Sequence, residues 1–137
     1  RRMPNDESRS ELPARWYDGV AADVRSKMRP DDEGCVWVLF TDAERVVQVG
    51  IALESDGRDL GAVEYDGLTH IIDELDLPGV VIAVSRADGE PLPEDWKLWE
   101  ELRGRLAALT RCELLDLLVV GEWSWWAALG GRSHRAA

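Results

Sequence analysis

The unbroken run Gly79-Val-Val-Ile-Ala-Val84 constrains this chain more than any other segment, because it is wholly apolar and mostly β-branched. A strand with one wet face alternates apolar and polar side chains, whereas an unbroken run has to be covered on both sides. The segment therefore reads as the central strand of a sheet with further layers packed above and below it. Leu77-Pro78 ends whatever precedes the strand. Ser85-Arg-Ala-Asp-Gly-Glu-Pro-Leu-Pro93 has to be a loop, because Gly and two prolines break regular structure.

The flanking elements follow from periodicity. Pro13 suits a first helical turn, and Trp16, Val20, Val24 and Met28 then recur down one face until Pro30. The apolar runs Cys35–Thr41 and Arg45–Leu53, joined by a tight polar connection, read as a hairpin. Ser55–Asp59 reads as a loop and Ala62–Tyr65 as a short strand, after which Leu68, Ile71, Ile72 and Leu75 have helical spacing. A helix from Glu94 to about Leu109 carries Trp96, Trp99, Leu102, Leu106 and Leu109 on one stripe, with acidic residues near its start, where the helix dipole favours them. Glu113–Val120 is a strand, Gly121-Glu122 a turn, and Trp123–Leu129 a final strand. This order predicts an α/β (α+β) fold, a mixed β-sheet flanked by helices in a single domain. Residues 1–11 are polar and aperiodic, as in a flexible arm; 12–129 form the domain; 130–137 are expected to be a flexible tail.

Charge and cysteine usage narrow the function classes. Sixteen basic residues against 27 acidic ones give a net charge of −11, which repels phosphate backbones. Direct nucleic-acid binding through a broad basic face is not expected. Cys35 and Cys112 stand alone, without a Cys-x-x-Cys pair, and read as free thiols of a reducing cytoplasm, with a disulfide between them as the alternative. No apolar run reaches the roughly 18 to 20 residues of a membrane span, and the polar start lacks a signal-peptide core, so a cytoplasmic protein is expected. Glycine-rich phosphate loops and a Gly-x-Ser-x-Gly elbow are absent. The high Arg, Ala, Gly and Asp usage is in keeping with a GC-rich bacterial genome.

Several segments together resemble a known family. They are Val80-Val-Ile-Ala-Val-Ser-Arg-Ala-Asp-Gly-Glu-Pro91, Pro93-Glu-Asp95, the long helix, Glu113-Leu-Leu-Asp-Leu-Leu-Val-Val-Gly121 and the aromatic strand. In order and spacing they resemble the RadC branch of the JAB/MPN domains, over roughly residues 35 to 129. In that branch an apolar strand runs into His-Asn-His-Pro-Ser-Gly-Asp-Pro, followed by Pro-Ser-x-x-Asp at a helix head and later Leu-Leu-Asp-His and a Val-Gly turn. The resemblance implies a JAB/MPN-like (cytidine-deaminase-like) sheet and, in full members, a zinc-dependent hydrolase.

The departures decide what it implies here. Matching Gly89-Glu90-Pro91 to Gly-Asp-Pro puts Val84 and Arg86 at the two histidine positions; matching from Asp95 puts Ile82 and Val84 there. Leu92 replaces the serine and Leu117 the later histidine, so Asp95 alone keeps its type. Zinc needs imidazole, thiolate or carboxylate, and without a metal no water is activated. The resemblance thus implies a degenerate former site, Val84, Arg86, Asp88, Glu90 and Asp95, in a pseudo-enzyme with no catalytic residue, no metal and no cofactor. His70, in a predicted helix, and His134, in the tail, offer no replacement.

Two other readings stay open. Asp88, Glu90, Glu94 and Asp95 could hold Mg²⁺ or Mn²⁺ in a divergent metal-dependent hydrolase. Against this, Glu94 and Asp95 suit a helix start, Asp88-Gly89 suits a turn, and Arg86 can bridge to one of the acids. The family's name also suggests a DNA-repair-associated accessory role.

Seven tryptophans point instead to contact. Trp37, Trp96 and Trp99 are expected in the core. Trp123, Trp125 and Trp126 are candidates for a protein partner or homo-oligomer interface, because neighbours in a strand face opposite sides and cannot both point inward. The alternative is a ring packed against the N-terminal helix.

Overall fold

The run from Gly79 to Ser85 forms β3, every residue of it buried, antiparallel to one neighbour and parallel to the other. This computed structural model describes residues 12–29, 33–53, 61–109 and 111–133. Within them lie α1 (Ala14–Lys27), β1 (Val36–Thr41), β2 (Val47–Leu53), α2 (Ala62–Leu75), α3 (Pro93–Leu109), β4 (Glu113–Val120), β5 (Trp125–Ala127) and β6 (Gly131–Ser133). The sheet has the order β2-β1-β3-β4-β5-β6, and its one parallel pair, β3 with β4, is bridged by α3. The result is a small single-domain α+β protein with a mixed sheet.

Alternation along the strands supplies two cores. Phe40, Val80, Ile82, Val84, Leu117 and Val119 face α2 and α3, where they meet Leu68, Ile72, Leu98, Trp99 and Leu102. Leu39, Val81, Ala83, Leu118 and Val120 face α1, where they meet Tyr17, Val20, Ala21 and Val24. Each fully buried aliphatic side chain contributes roughly 1.5–3 kcal/mol, which is why the apolar run of β3 needs helices on both sides. Two register shifts adjust the faces. One, beside Phe40 and Thr41, turns Val47 toward the α1 core while Ile51 and Leu53 stay with the other. The second skips Leu115, so that Asp116 stands opposite Val81 on the α1 side.

Three expectations need correction. Ala62–Tyr65 is the first turn of α2 rather than a strand. Glu64 accepts the Gly61 N–H at 2.5 Å, and the Tyr65 N–H donates to the Gly61 carbonyl, so local capping wins over a four-residue alternation too short to fix a period. The expected tail is ordered at its start, because Gly131–Ser133 pair with β5 as β6. The final strand is shorter than Trp123–Leu129, since Gly121–Ser124 make the turn into it. The cysteines are free thiols on opposite faces of the sheet, Cys112 in the α2/α3 core and Cys35 against the α1 core, which closes the disulfide alternative. The arm at 1–11, the loop at 55–59 and His134 lie outside the described residues. Among the described residues no helix is long and apolar enough to cross a membrane.

Candidate functional site

Parallel pairing brings the carboxyl ends of β3 and β4 out side by side, and the Arg86 N–H donates to the carbonyl of Val120 at 3.1 Å. From that anchor the Arg86 side chain folds inward to 4% exposure. Its Nε donates to Asp95 Oδ2 at 3.1 Å and its Nη2 to Asp95 Oδ1 at 2.7 Å, the two-pronged geometry of a strong arginine–carboxylate pair. Glu94 lies 3.7 Å and Glu33 3.5 Å from the same guanidinium. Burial works against the charged arginine, but Asp95, then Glu94 and Glu33, outweigh it and hold the Arg86 pKa above its ordinary value.

Asp95 and Glu33 are also tied to backbone. Asp95, in the first turn of α3, accepts the Leu92 N–H through Oδ2 at 2.9 Å and so closes the helix start. Glu33 accepts the Ala87 N–H at 2.9 Å. Asp88 accepts the Glu90 N–H at 3.0 Å, the turn its sequence suggests, with Gly89 at φ +71°. Two glycines let the loop lie against the β4–β5 turn. A Cβ on Gly121 would stand 2.6 Å from the Gly89 Cα and N, closer than any side chain tolerates. Arg25 of α1 completes the corner, donating to the Gly121 carbonyl at 2.7 Å and to that of Ser124 at 3.0 Å.

A zinc ion does not fit these residues. In either register the histidine positions fall on side chains without a suitable donor: Ile82 and Val84 are sealed in the α2/α3 core, and Arg86 is a buried cation. Asp95 is 2% exposed and engaged on both oxygens, and Glu94 faces Arg86. Among the described residues no group of three or more His, Cys, Asp or Glu side chains is placed to hold a metal. The sequence brings Arg86, Glu94 and Asp95 together as expected for an ion pair, while Asp88 points back into its own loop and Glu90 is half-buried. Glu33 went unnoticed in the sequence because nothing local links it to a residue so far along the chain. His70 is an exposed helix residue near Glu74.

The tryptophans divide by face. Trp125 is buried at 5%, stacked on Tyr17 at 4.7 Å and bonded through Nε1 to Asp18 at 2.8 Å, so it belongs to the core under α1 and leaves the candidate contact set. Trp126, on the opposite face, is half-buried and meets Trp96 edge-to-face at 4.8 Å. Trp96 is 46% exposed rather than a core residue, because the ring it packs against, Trp126 of the short strand β5, is itself only half-buried. With Trp123 at 57% and Leu92 at 39% exposure, the same end of the sheet carries an aromatic surface beside the Arg86 cluster.

A second buried carboxylate was also missed. Asp116, 0% exposed, accepts the Tyr17 hydroxyl at 2.5 Å and the N–H groups of Leu117, Leu129 and Gly130 at 2.8, 2.9 and 3.1 Å. Burial pushes its pKa up, and the four donors pull the other way. Burial, then Asp116, also pushes the Tyr17 hydroxyl upward. The one visible signal was a lone acid inside Leu-Leu-Asp-Leu-Leu. A groove of about 520 Å³ between α3 and the start of β4 lies away from the Arg86 cluster; Cys112 on its wall is pushed up to about 11, first by burial, and is no nucleophile at neutral pH. No protein-family model matches the sequence, and no curated protein matches it.

Proposed function

We propose that this chain is a non-catalytic, RadC-like JAB/MPN domain, of cytidine-deaminase-like architecture, that works through protein contact. The order of segments on which the resemblance rests supports the reading: apolar β3, its loop, Asp95 at the head of α3 and the Val-Gly turn after β4 meet at one end of the sheet, while Leu-Leu-Asp opens β4 at the other. The observation that carries it is the buried fork between Arg86 and Asp95. A guanidinium occupies the charge position beside the one retained acid, and a second cation there would meet repulsion at short range. Contact falls to the adjacent aromatic surface of Leu92, Trp96, Trp123 and Trp126, residue types that dominate interface energetics.

The test measures metal content by mass spectrometry after loading with Zn²⁺, Mn²⁺ or Mg²⁺ and dialysis, and partner recovery by wild type and by a Trp96→Ser, Trp123→Ser variant. No stoichiometric metal is expected, with a specific partner retained by the wild type and lost by the variant. One tightly held ion per chain, with hydrolysis abolished by Asp95→Ala, would establish the metal-dependent hydrolase instead.

A further inference from the structure

The charges around Arg86 do not balance. Asp95 takes the guanidinium through two direct bonds, whereas Glu94 at 3.7 Å and Glu33 at 3.5 Å stand beyond ordinary hydrogen-bond length from it. One cation among three carboxylates leaves a negative excess, and Glu33 and Glu94 keep 55% and 29% of their side-chain surface open to solvent. Arg25 of α1 and Lys97 of α3 do not restore the balance, because Asp88, Glu90 and Glu122 lie in the two turns that meet through Gly89 and Gly121. The aromatic surface adjoins this excess. Leu92 and Trp96 flank Glu94 at the start of α3, within about one helical turn of 5.4 Å. Elsewhere the chain covers its own rings with cations. Arg103 lies 5.6 Å from the centre of the Trp99 ring and Arg105 5.4 Å from that of Tyr65, and Asp66 and Glu101 hold Arg105 in place. Trp96 has no arginine or lysine over its ring among the described residues.

We infer that the partner of the tryptophan surface presents a basic segment, whose arginine or lysine side chains meet Glu33 and Glu94 and lie over Trp96 while its apolar side chains cover Leu92. The inference rests on the contact function proposed above and names the chemistry of the partner. Charge complementarity selects that chemistry. A ring face and neighbouring carboxylates both attract a cation, the first through its quadrupole and the second directly. An acidic segment, or a second copy of a chain with net charge −11, is repelled here. A purely apolar segment would strip water from Glu33 and Glu94 without supplying a counter-charge. The basic side chains approach the solvent-facing sides of these two glutamates, so the fork between Arg86 and Asp95 stays intact.

Fluorescence anisotropy of a labelled hexapeptide alternating arginine and leucine, titrated with the full chain, tests the inference. Binding is expected with a Kd on the order of 10–100 μM at about 20 mM salt, weakening at least about fivefold at about 300 mM as the charges are screened. The counterpart peptide with glutamate for arginine does not bind. Glu33→Gln with Glu94→Gln, and separately Trp96→Ser, each weaken binding at least about fivefold with an unchanged circular dichroism spectrum. Asp73→Asn with Glu74→Gln removes the same charge from exposed acids of α2 at the other end of the sheet and leaves binding unchanged. Glu33→Gln alone, at a mostly exposed side chain, carries the test should Glu94→Gln disturb the Arg86 cluster. No binding of the arginine peptide, equal binding of the glutamate peptide, or an equal loss in the α2 variant overturns the inference. If a protein partner is then still recovered by the wild type and lost by the Trp96→Ser, Trp123→Ser variant, the contact function stands without its basic partner; if that recovery fails as well, both fall.

Discussion

Asp95 and Asp116 are both carboxylates removed from water, 2% and 0% exposed, yet the two ends of the molecule satisfy them by opposite means. Asp95 meets a buried cation, with two further acids around the same guanidinium. Asp116 meets no cation among the described residues and instead collects four neutral donors, three of them backbone N–H groups. The first arrangement is a charge cluster whose members come from three segments, 33, 86 and 94–95, and which locks the loop after β3. The second is a hydrogen-bond hub that ties α1 and the turn after β5 to β4. A buried charge needs compensation, and the kind of compensation decides how each region fails.

The largest break in the comparison comes from removing the cation. Arg86→Ala leaves Asp95 buried and unpaired and is expected to cost about 3–5 kcal/mol in urea unfolding, with Arg86→Lys recovering part of the loss because it keeps the charge but not the fork. A loss under about 1 kcal/mol would mean that the fork between Arg86 and Asp95 does not hold this corner together. Next comes the hub. Tyr17→Phe removes one of four donors to Asp116 and should cost about 1.5–3 kcal/mol, less than the arginine because three donors remain.

The smallest effect, and the sharpest contrast, is in pH. The pKa of Asp116 is raised on folding, so the folded chain holds that proton more tightly than the unfolded one. Its contribution is therefore complete below the ordinary carboxylate pKa and is lost as pH rises through the folded value. Thermal melts of the wild type against Asp116→Asn should show the wild type gaining on the variant as pH falls from neutrality. A wild type that loses ground on acidification would mean that the four donors overcome burial and hold the carboxylate ionised.

The comparison also shows how much of the site was legible before folding. Arg86, Glu94 and Asp95 lie within ten residues of one another, and a loop followed by a helix start is local geometry, so their meeting could be expected. Glu33 and Arg25 join the same corner only because β1 pairs with β3 and α1 packs across the sheet. Asp116 was hidden for a different reason. A polar residue in an apolar strand has no readable partner until the register is known, and here that register contains a skipped residue, Leu115.

What the sequence determined by itself was the set of elements whose period is long or unbroken: α1, the β1–β2 hairpin, β3 as the buried centre, α3 and β4. Burial pressure acts on such patterns residue by residue, so they survive without knowledge of the neighbours. Tertiary structure alone decided which tryptophans are core. Trp125 and Trp126 are adjacent and chemically identical, yet one is sealed under α1 while the other stands half-covered beside Trp96. Their fates differ because strand alternation assigns opposite faces, and only the packing of helices over the sheet determines how completely each face is covered.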